Sequence, residues 1–129
     1  MNNHKEFKNK NADYNKLCGI QRWQQHKATL NNLNFNEFVR AGNQDKKSMF
    51  IDVRTSDEYK TGTIEGAINI DYLSTTLIDD LDILSKKYTY YIFCRTGRRS
   101  LRVCMLIKNM GINVYNLDGG IISKEATVQ

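Results

Sequence analysis

Apolar and polar positions change rhythm several times along this chain, and each change predicts an element. Met49-Phe50-Ile51-Asp52-Val53 and Ala67-Ile68-Asn69-Ile70 are apolar runs of strand length. Tyr88 to Phe93 is aromatic and β-branched and predicts a central strand, and Ile112 to Leu117 predicts a last one before Asp118-Gly119-Gly120. Helical signals fall between them. Asn34 followed three positions on by Glu37 reads as a capping box, with Ala41-Gly42 predicted to close that helix. Ser56 to Lys60 makes a helical turn, and Gly62 and Gly66 bracket a loop. Leu73 to Leu84 has apolar residues at 73, 77, 78, 81 and 84 with acids on the opposite face, and Arg98 to Met110 reads as a helix ending at Gly111. Strands and helices alternate with links long enough for crossovers. That pattern predicts an α/β fold with a central, mostly parallel β-sheet and helices on both faces.

Upstream of residue 28 the alternation is missing, and the chain reads as a polar, basic N-terminal extension, 1–28, ahead of one domain, 29–129. Within the extension Tyr14, Leu17, Ile20 and Trp23 recur at near-helical spacing, which predicts a helix packed on the body or on a partner. Neither repeats nor proline punctuate the chain.

Charge narrows the function classes. The net charge is +5, and residues 1–30 hold six Lys/Arg (Lys5, Lys8, Lys10, Lys16, Arg22, Lys27) against Glu6 and Asp13, which leaves +1 for the rest. The body is nearly neutral and carries no basic stripe interleaved with aromatics, so no specific nucleic-acid partner is expected. No apolar run approaches the ~20 residues of a membrane span. MNNHKEFKNKNADYNK lacks the apolar segment of a secretory signal, and Leu17-Cys18 fails as a lipoprotein site for the same reason. Cys18, Cys94 and Cys104 are odd in number and lack metal-ligand spacing, which points to free thiols in a reducing compartment, the cytoplasm by default.

The chemistry concentrates in Tyr91-Ile92-Phe93-Cys94-Arg95-Thr96-Gly97-Arg98-Arg99-Ser100. Cys94 falls at the carboxyl end of a predicted strand, where parallel sheets build their sites. Backbone amides of residues 95–99 are expected to converge on its sulfur. The helix N-terminus adds roughly half a positive charge, Arg95, Arg98 and Arg99 add whole ones, and Gly97 lets the loop curl around an anion. Each feature favours thiolate over thiol and an incoming anion over a neutral ligand. A structural cysteine with solvated arginines is the plainer alternative, and the density of charge in five positions argues against it.

These residues resemble the single-domain rhodanese family. Cys94 to Ser100 is similar to its C-x-x-G-x-R-S loop, and Asp52-Val53-Arg54 with Glu58-Tyr59 to its D-V-R-x-x-x-E-[YF] segment. Thr61 to Ile70 resembles its G-H-I-P-G-A-x-N-I segment and Leu117-Asp118-Gly119-Gly120-Ile121 its closing L-x-G-G, four segments in order over roughly residues 29–122. The resemblance implies a rhodanese-like domain and a sulfurtransferase without metal or organic cofactor. Cys94 would be nucleophile and sulfur carrier, taking sulfur from a small anionic donor such as thiosulfate and passing it to cyanide, a thiol or a protein cysteine. Arg95, Thr96, Gly97, Arg98, Arg99 and Ser100 would bind the persulfide and donor. Asp52 and Arg54 would support the site, as a structural pair or by reaching substrate, and Glu58 would pair with a cation. Thr63 stands where the family usually has His and Glu65 where it has Pro, which predicts a locally different loop with intact chemistry.

Two rivals remain. A cysteine phosphatase or arsenate reductase needs C-x5-R, whereas here the sixth residue after Cys94 is Ser100 and Arg99 comes one position early. A non-catalytic partner-binding module would generally lose the cysteine. Cys104 is expected as a buried structural thiol, Cys18 as a sulfur relay or mixed-disulfide partner if the tail folds back, and His4 and His26 as bystanders.

Overall fold

The computed structural model describes residues 19–124. Five strands, β1 (Asn31–Leu33), β2 (Ser48–Asp52), β3 (Ile68–Asn69), β4 (Thr89–Phe93) and β5 (Val114–Leu117), form one sheet in the order β1-β5-β4-β2-β3. Every pairing is parallel. The helices are α1 (Gly19–Ala28), α2 (Phe35–Gln44), α3 (Ser56–Lys60), α4 (Leu77–Asp82) and α5 (Arg98–Asn109). Among the described residues no helix is long and apolar enough to cross a membrane.

Period-two alternation divides the core between two faces. Ile51, Val53, Tyr90, Ile92 and Cys94 pack with Leu81 of α4 and with Val103, Cys104 and Ile107 of α5. Phe50, Tyr91 and Phe93 point the other way and surround Phe38 of α2. Phe38 is fully buried, with ring centroids 5.6 Å from Phe50 and Tyr91. Buried aromatic pairs at this separation add about 0.5–1.5 kcal/mol each beyond the area they cover, so the α2 face is held chiefly by rings. β4, with both faces covered, is the central strand expected.

Several boundaries differ from the sequence expectation for local reasons. The capping box at Asn34 is present: its Oδ1 accepts from the Glu37 amide at 2.9 Å. Gly42, however, does not close α2; the helix continues to Gln44 with Gly42 buried inside it. A Cβ there would stand 2.2 Å from Cζ of Phe50, so Gly42 is required by the approach of a ring and not by a helix end. The predicted helix over 73–84 is shorter, Leu77–Asp82. Asp71 and Ser74 divert the preceding backbone, since the Asp71 carboxylate accepts from Leu73 N at 2.8 Å and Ser74 Oγ from Thr76 N at 3.1 Å. β1 has no signature in Asn31-Asn32-Leu33, a three-residue strand with two asparagines formed by pairing with β5. A second capping box, Thr55 with Glu58, opens α3.

Of the predicted tail helix, Gly19–Ala28 is helical and lies against α5 and β1. Tyr14, Leu17, Cys18 and His4 fall outside the described residues. The end of α1 is tied to the body by Lys27, whose Nζ lies 2.5 Å from Asp118 Oδ1, and by Lys108 Nζ, which donates to the Thr29 carbonyl.

Candidate active site

Register places the site. Asp52 of β2 is level with Phe93 of β4, and Val53 N donates to Phe93 O at 2.9 Å. The two strands therefore release Val53-Arg54 and Cys94-Arg95 side by side at the carboxyl edge of the sheet. From Cys94 the chain makes one tight loop into α5. Gly97 occupies the cap position with φ +98°, in the left-handed region that favours glycine, and offers no side-chain cap.

The uncapped N-terminus of α5 is satisfied by sulfur. Gly97 N donates to Cys94 Sγ at 3.1 Å and Ser100 N at 3.4 Å. Sequence reasoning expected amides of 95–99; of these Gly97 donates, and the helical turn adds the Ser100 amide, one of the orphan donors of the first turn. Cys94 is 1% exposed, and Gly97 and Ser100 are buried, while Arg95, Thr96 and Arg98 are exposed and Arg99 is half-buried. The loop thus presents charge outward and amides inward, towards one sulfur. Amide donors and an aligned helix dipole both stabilise negative charge there.

Arg99 turns towards α3, its NH1 3.4 Å from Glu58 Oε1. The same carboxylate accepts from Thr55 Oγ1 at 3.1 Å. Burial works to raise the Glu58 carboxyl, but hydrogen bonds from Thr55 and the charge of Arg99 outweigh it and hold it below the usual range. Glu58 is therefore ionised near the loop and offsets part of its charge.

Asp52 and Arg54 form a buried pair beneath the site. Arg54 Nε and NH2 reach the Asp52 carboxylate at 3.0 and 2.7 Å, and Arg54 N donates to Oδ1 at 2.9 Å. Arg54 NH2 also donates to the Gly62 carbonyl at 2.5 Å. The Asp52 bond holds the guanidinium above its ordinary range, and the charge of Cys94 pushes in the same direction. Asp52 is completely buried. Its carboxylate is occupied by Arg54 and by Thr63, whose Oγ1 donates to Oδ2 at 2.9 Å.

Three contributors escaped sequence reasoning. Thr63, seen as a departure from a motif, is a ligand of Asp52. Asn69 Nδ2 donates to the carbonyls of Asp52 and Arg54 at 2.9 and 3.0 Å, bracing the β2 end. Asn116, a polar residue in the strand Val-Tyr-Asn-Leu, accepts from Ser100 Oγ at 2.7 Å; an asparagine in a buried strand was the available signal. Cys104 is fully buried in α5, and its burial, with the nearby Cys94 adding, pushes its thiol well up.

A family model, the Rhodanese-like domain, matches residues 35–123. "Putative sulfurtransferase YtwF" of Bacillus subtilis is 31% identical over 81 residues, 63% of this chain and 77% of that protein. A tRNA sulfurtransferase of Desulfurococcus amylolyticus is 29% identical over 82 residues, 64% of this chain but 16% of that much longer protein. Among solved structures, a rhodanese-like domain protein from Staphylococcus aureus superposes with a TM-score of 0.64 at 30% identity, covering 73% of this chain and 90% of that one.

Proposed function

Because the chain belongs to the Rhodanese-like domain family, matched over residues 35–123, we propose that it is a sulfurtransferase working through a persulfide on Cys94. The observation that carries this reading is the pair of amides, Gly97 and Ser100, donating to Cys94 Sγ at the start of α5. The thiolate attacks the outer sulfur of thiosulfate. A new S–S bond forms at Cys94, the donor's S–S bond breaks, and its electron pair leaves with sulfite. The persulfide places its outer sulfur about 2.05 Å from Sγ, within the curl of the loop. Cyanide, a thiol or a protein cysteine then attacks that outer sulfur and Cys94 leaves as thiolate.

Near-complete burial of Cys94 suits a small donor, and the exposed arginines of the loop suit an anionic one. Asp52 and Arg54 act as the brace that holds the β2 end under the loop. A reducing compartment such as the cytoplasm would keep Cys94 available.

Intact mass after incubation with thiosulfate tests this. The wild type is expected to gain about 32 Da, one sulfur, lost again to cyanide or dithiothreitol, while Cys94→Ser gains nothing. A wild type that takes up no sulfur yet cleaves an aryl phosphate through Cys94 would replace this reading with a phosphatase.

A further inference from the structure

A file of side chains, half-buried at Asn32 and buried at Asn116 and Ser100, connects the extension helix to the catalytic loop. Asn32 Nδ2 donates to the Lys27 carbonyl at 2.7 Å and to the Leu30 carbonyl at 3.1 Å. Asn116 Nδ2 donates to Asn32 Oδ1 at 3.0 Å. Ser100 Oγ lies 2.7 Å from Asn116 Oδ1 and 3.2 Å from the Gly97 carbonyl. The Ser100 amide then faces Cys94 Sγ. Ser100 is fully buried and Asn116 is 2% exposed, so water is not at hand to replace a lost partner.

Donor and acceptor chemistry gives this file a direction. Backbone carbonyls only accept, so those of Lys27 and Leu30 require the NH2 of Asn32, which turns its oxygen towards Asn116. Asn116 must then offer NH2 to Asn32 and its oxygen to Ser100. The single hydroxyl proton of Ser100 goes to Asn116, and the Gly97 carbonyl receives none from it. With Asn32 removed, the Asn116 amide is free to flip. Its NH2 would then meet Ser100 Oγ, and the hydroxyl would donate to the Gly97 carbonyl. That carbonyl also receives the Leu101 amide at 3.1 Å, and the amide of the same residue donates to the nucleophile.

We propose that Asn32 and Asn116 are positioning residues for Cys94: the carbonyls at the end of α1 set the orientation of both amides, and through Ser100 they select one of two hydrogen-bonded states of the catalytic loop. Lys27 and Asn32 both precede residue 35, where the family match begins, so part of the loop's support lies outside the matched segment. Lys27 ties the same helix end to Asp118, beside the glycines that touch the loop. The functional meaning rests on the sulfurtransferase reading, whereas the coupling itself is measurable without sulfur transfer.

The test compares wild type with Asn32→Ala and Asn32→Asp, the second keeping side-chain size while removing the donor to the carbonyls. Asn31→Ala, on the exposed neighbour, is the control. Three quantities are read: amide resonances of Gly97 and Ser100 in 15N–1H spectra, the rate of Cys94 alkylation by iodoacetamide located by peptide mass, and Tm. Asn32→Ala is expected to move the two loop amides and to slow alkylation about fivefold, the order of one net hydrogen bond, whereas Asn32→Asp, whose carboxylate still accepts from Asn116 Nδ2, should lower Tm and leave the loop amides and the alkylation rate near those of the wild type. In a Ser100→Ala background, Asn32→Ala should change the alkylation rate no further, because the route is already cut. In Asn32→Ala, a lowered Tm with unmoved loop amides and unchanged alkylation would overturn the proposal, as would additive effects in the Ser100→Ala background. Failure of thiosulfate to load Cys94 would remove the sulfurtransferase reading and leave this coupling standing on the spectra.

Discussion

The carbonyl oxygen of Arg95 occupies the space where a side chain on Gly120 would begin: a Cβ there would lie 2.2 Å from it. The Gly119-Gly120 turn is thereby pressed against the loop that follows Cys94. Ile121 N donates to Cys94 O at 2.8 Å and Ile122 N to Arg95 O at 3.2 Å, so the same turn holds the loop by its backbone.

Gly120→Ala is therefore expected to displace the loop, because backbone cannot yield as a flexible side chain can. The residue's φ of +70° adds strain for any L side chain. A loss of about 2 kcal/mol or more in urea denaturation and at least a tenfold slower persulfidation of Cys94 are expected.

Thr63→Val keeps the shape of the side chain and deletes the hydrogen bond to buried Asp52. The carboxylate retains Arg54 but loses one donor, which should cost about 1–3 kcal/mol of stability. Thr63→Ser, which keeps the hydroxyl, should lose much less. Equal losses in the two variants would show that the methyl group and not the hydrogen bond matters.

Gly42→Ala sets two effects against each other. Helix propensity favours alanine by about 1 kcal/mol, while overpacking against Phe50 costs about 1–3 kcal/mol. With a Cβ 2.2 Å from the ring, the steric cost should win and the variant should unfold at lower urea. Adding Phe50→Leu should recover part of the loss; no recovery would mean the clash lies elsewhere.

Glu58→Gln leaves an oxygen to serve the capping box but removes the charge facing Arg99. The ion pair is part-exposed and worth less than about 1 kcal/mol, so Tm should hardly move. The KM for thiosulfate should fall about threefold as the loop becomes more cationic. A KM that rises would show that Glu58 orients Arg99 for binding.

Alkaline stability follows from three buried groups. Burial raises the Cys104 thiol well above 9.0 and the Tyr90 and Tyr91 phenols above 10.0. Each raised group contributes stability that is whole below its unfolded value and is lost as pH rises through the folded one. Unfolding free energy measured in urea should hold to about pH 9 and decline above it, and Cys104→Ala should flatten the first part of that decline. A flat profile to pH 11 would refute the burial argument.

The sequence by itself determined what is local. The apolar run Met49–Val53, the aromatic and β-branched run Tyr88–Phe93, the Asn34 capping box and the placement of Cys94 at a strand end before Gly97 depend on hydrogen bonds and side-chain directions a few residues apart. Such spacing is legible in order along the chain. Glycines, by contrast, read alike whatever requires them: Gly42 looked like a helix end until Phe50 supplied the reason. The rest joins residues distant in sequence. Asn116 and Asn32 are 84 positions apart, Arg99 and Glu58 41, and Thr63 and Asp52 11. Only the tertiary structure decided that Thr63 serves Asp52, that Asn31, Asn32 and Leu33 make β1, and that an amide in β5 meets Ser100. The reason is physical: parallel strands are paired by crossovers, so neighbours across the sheet carry no fixed spacing along the chain.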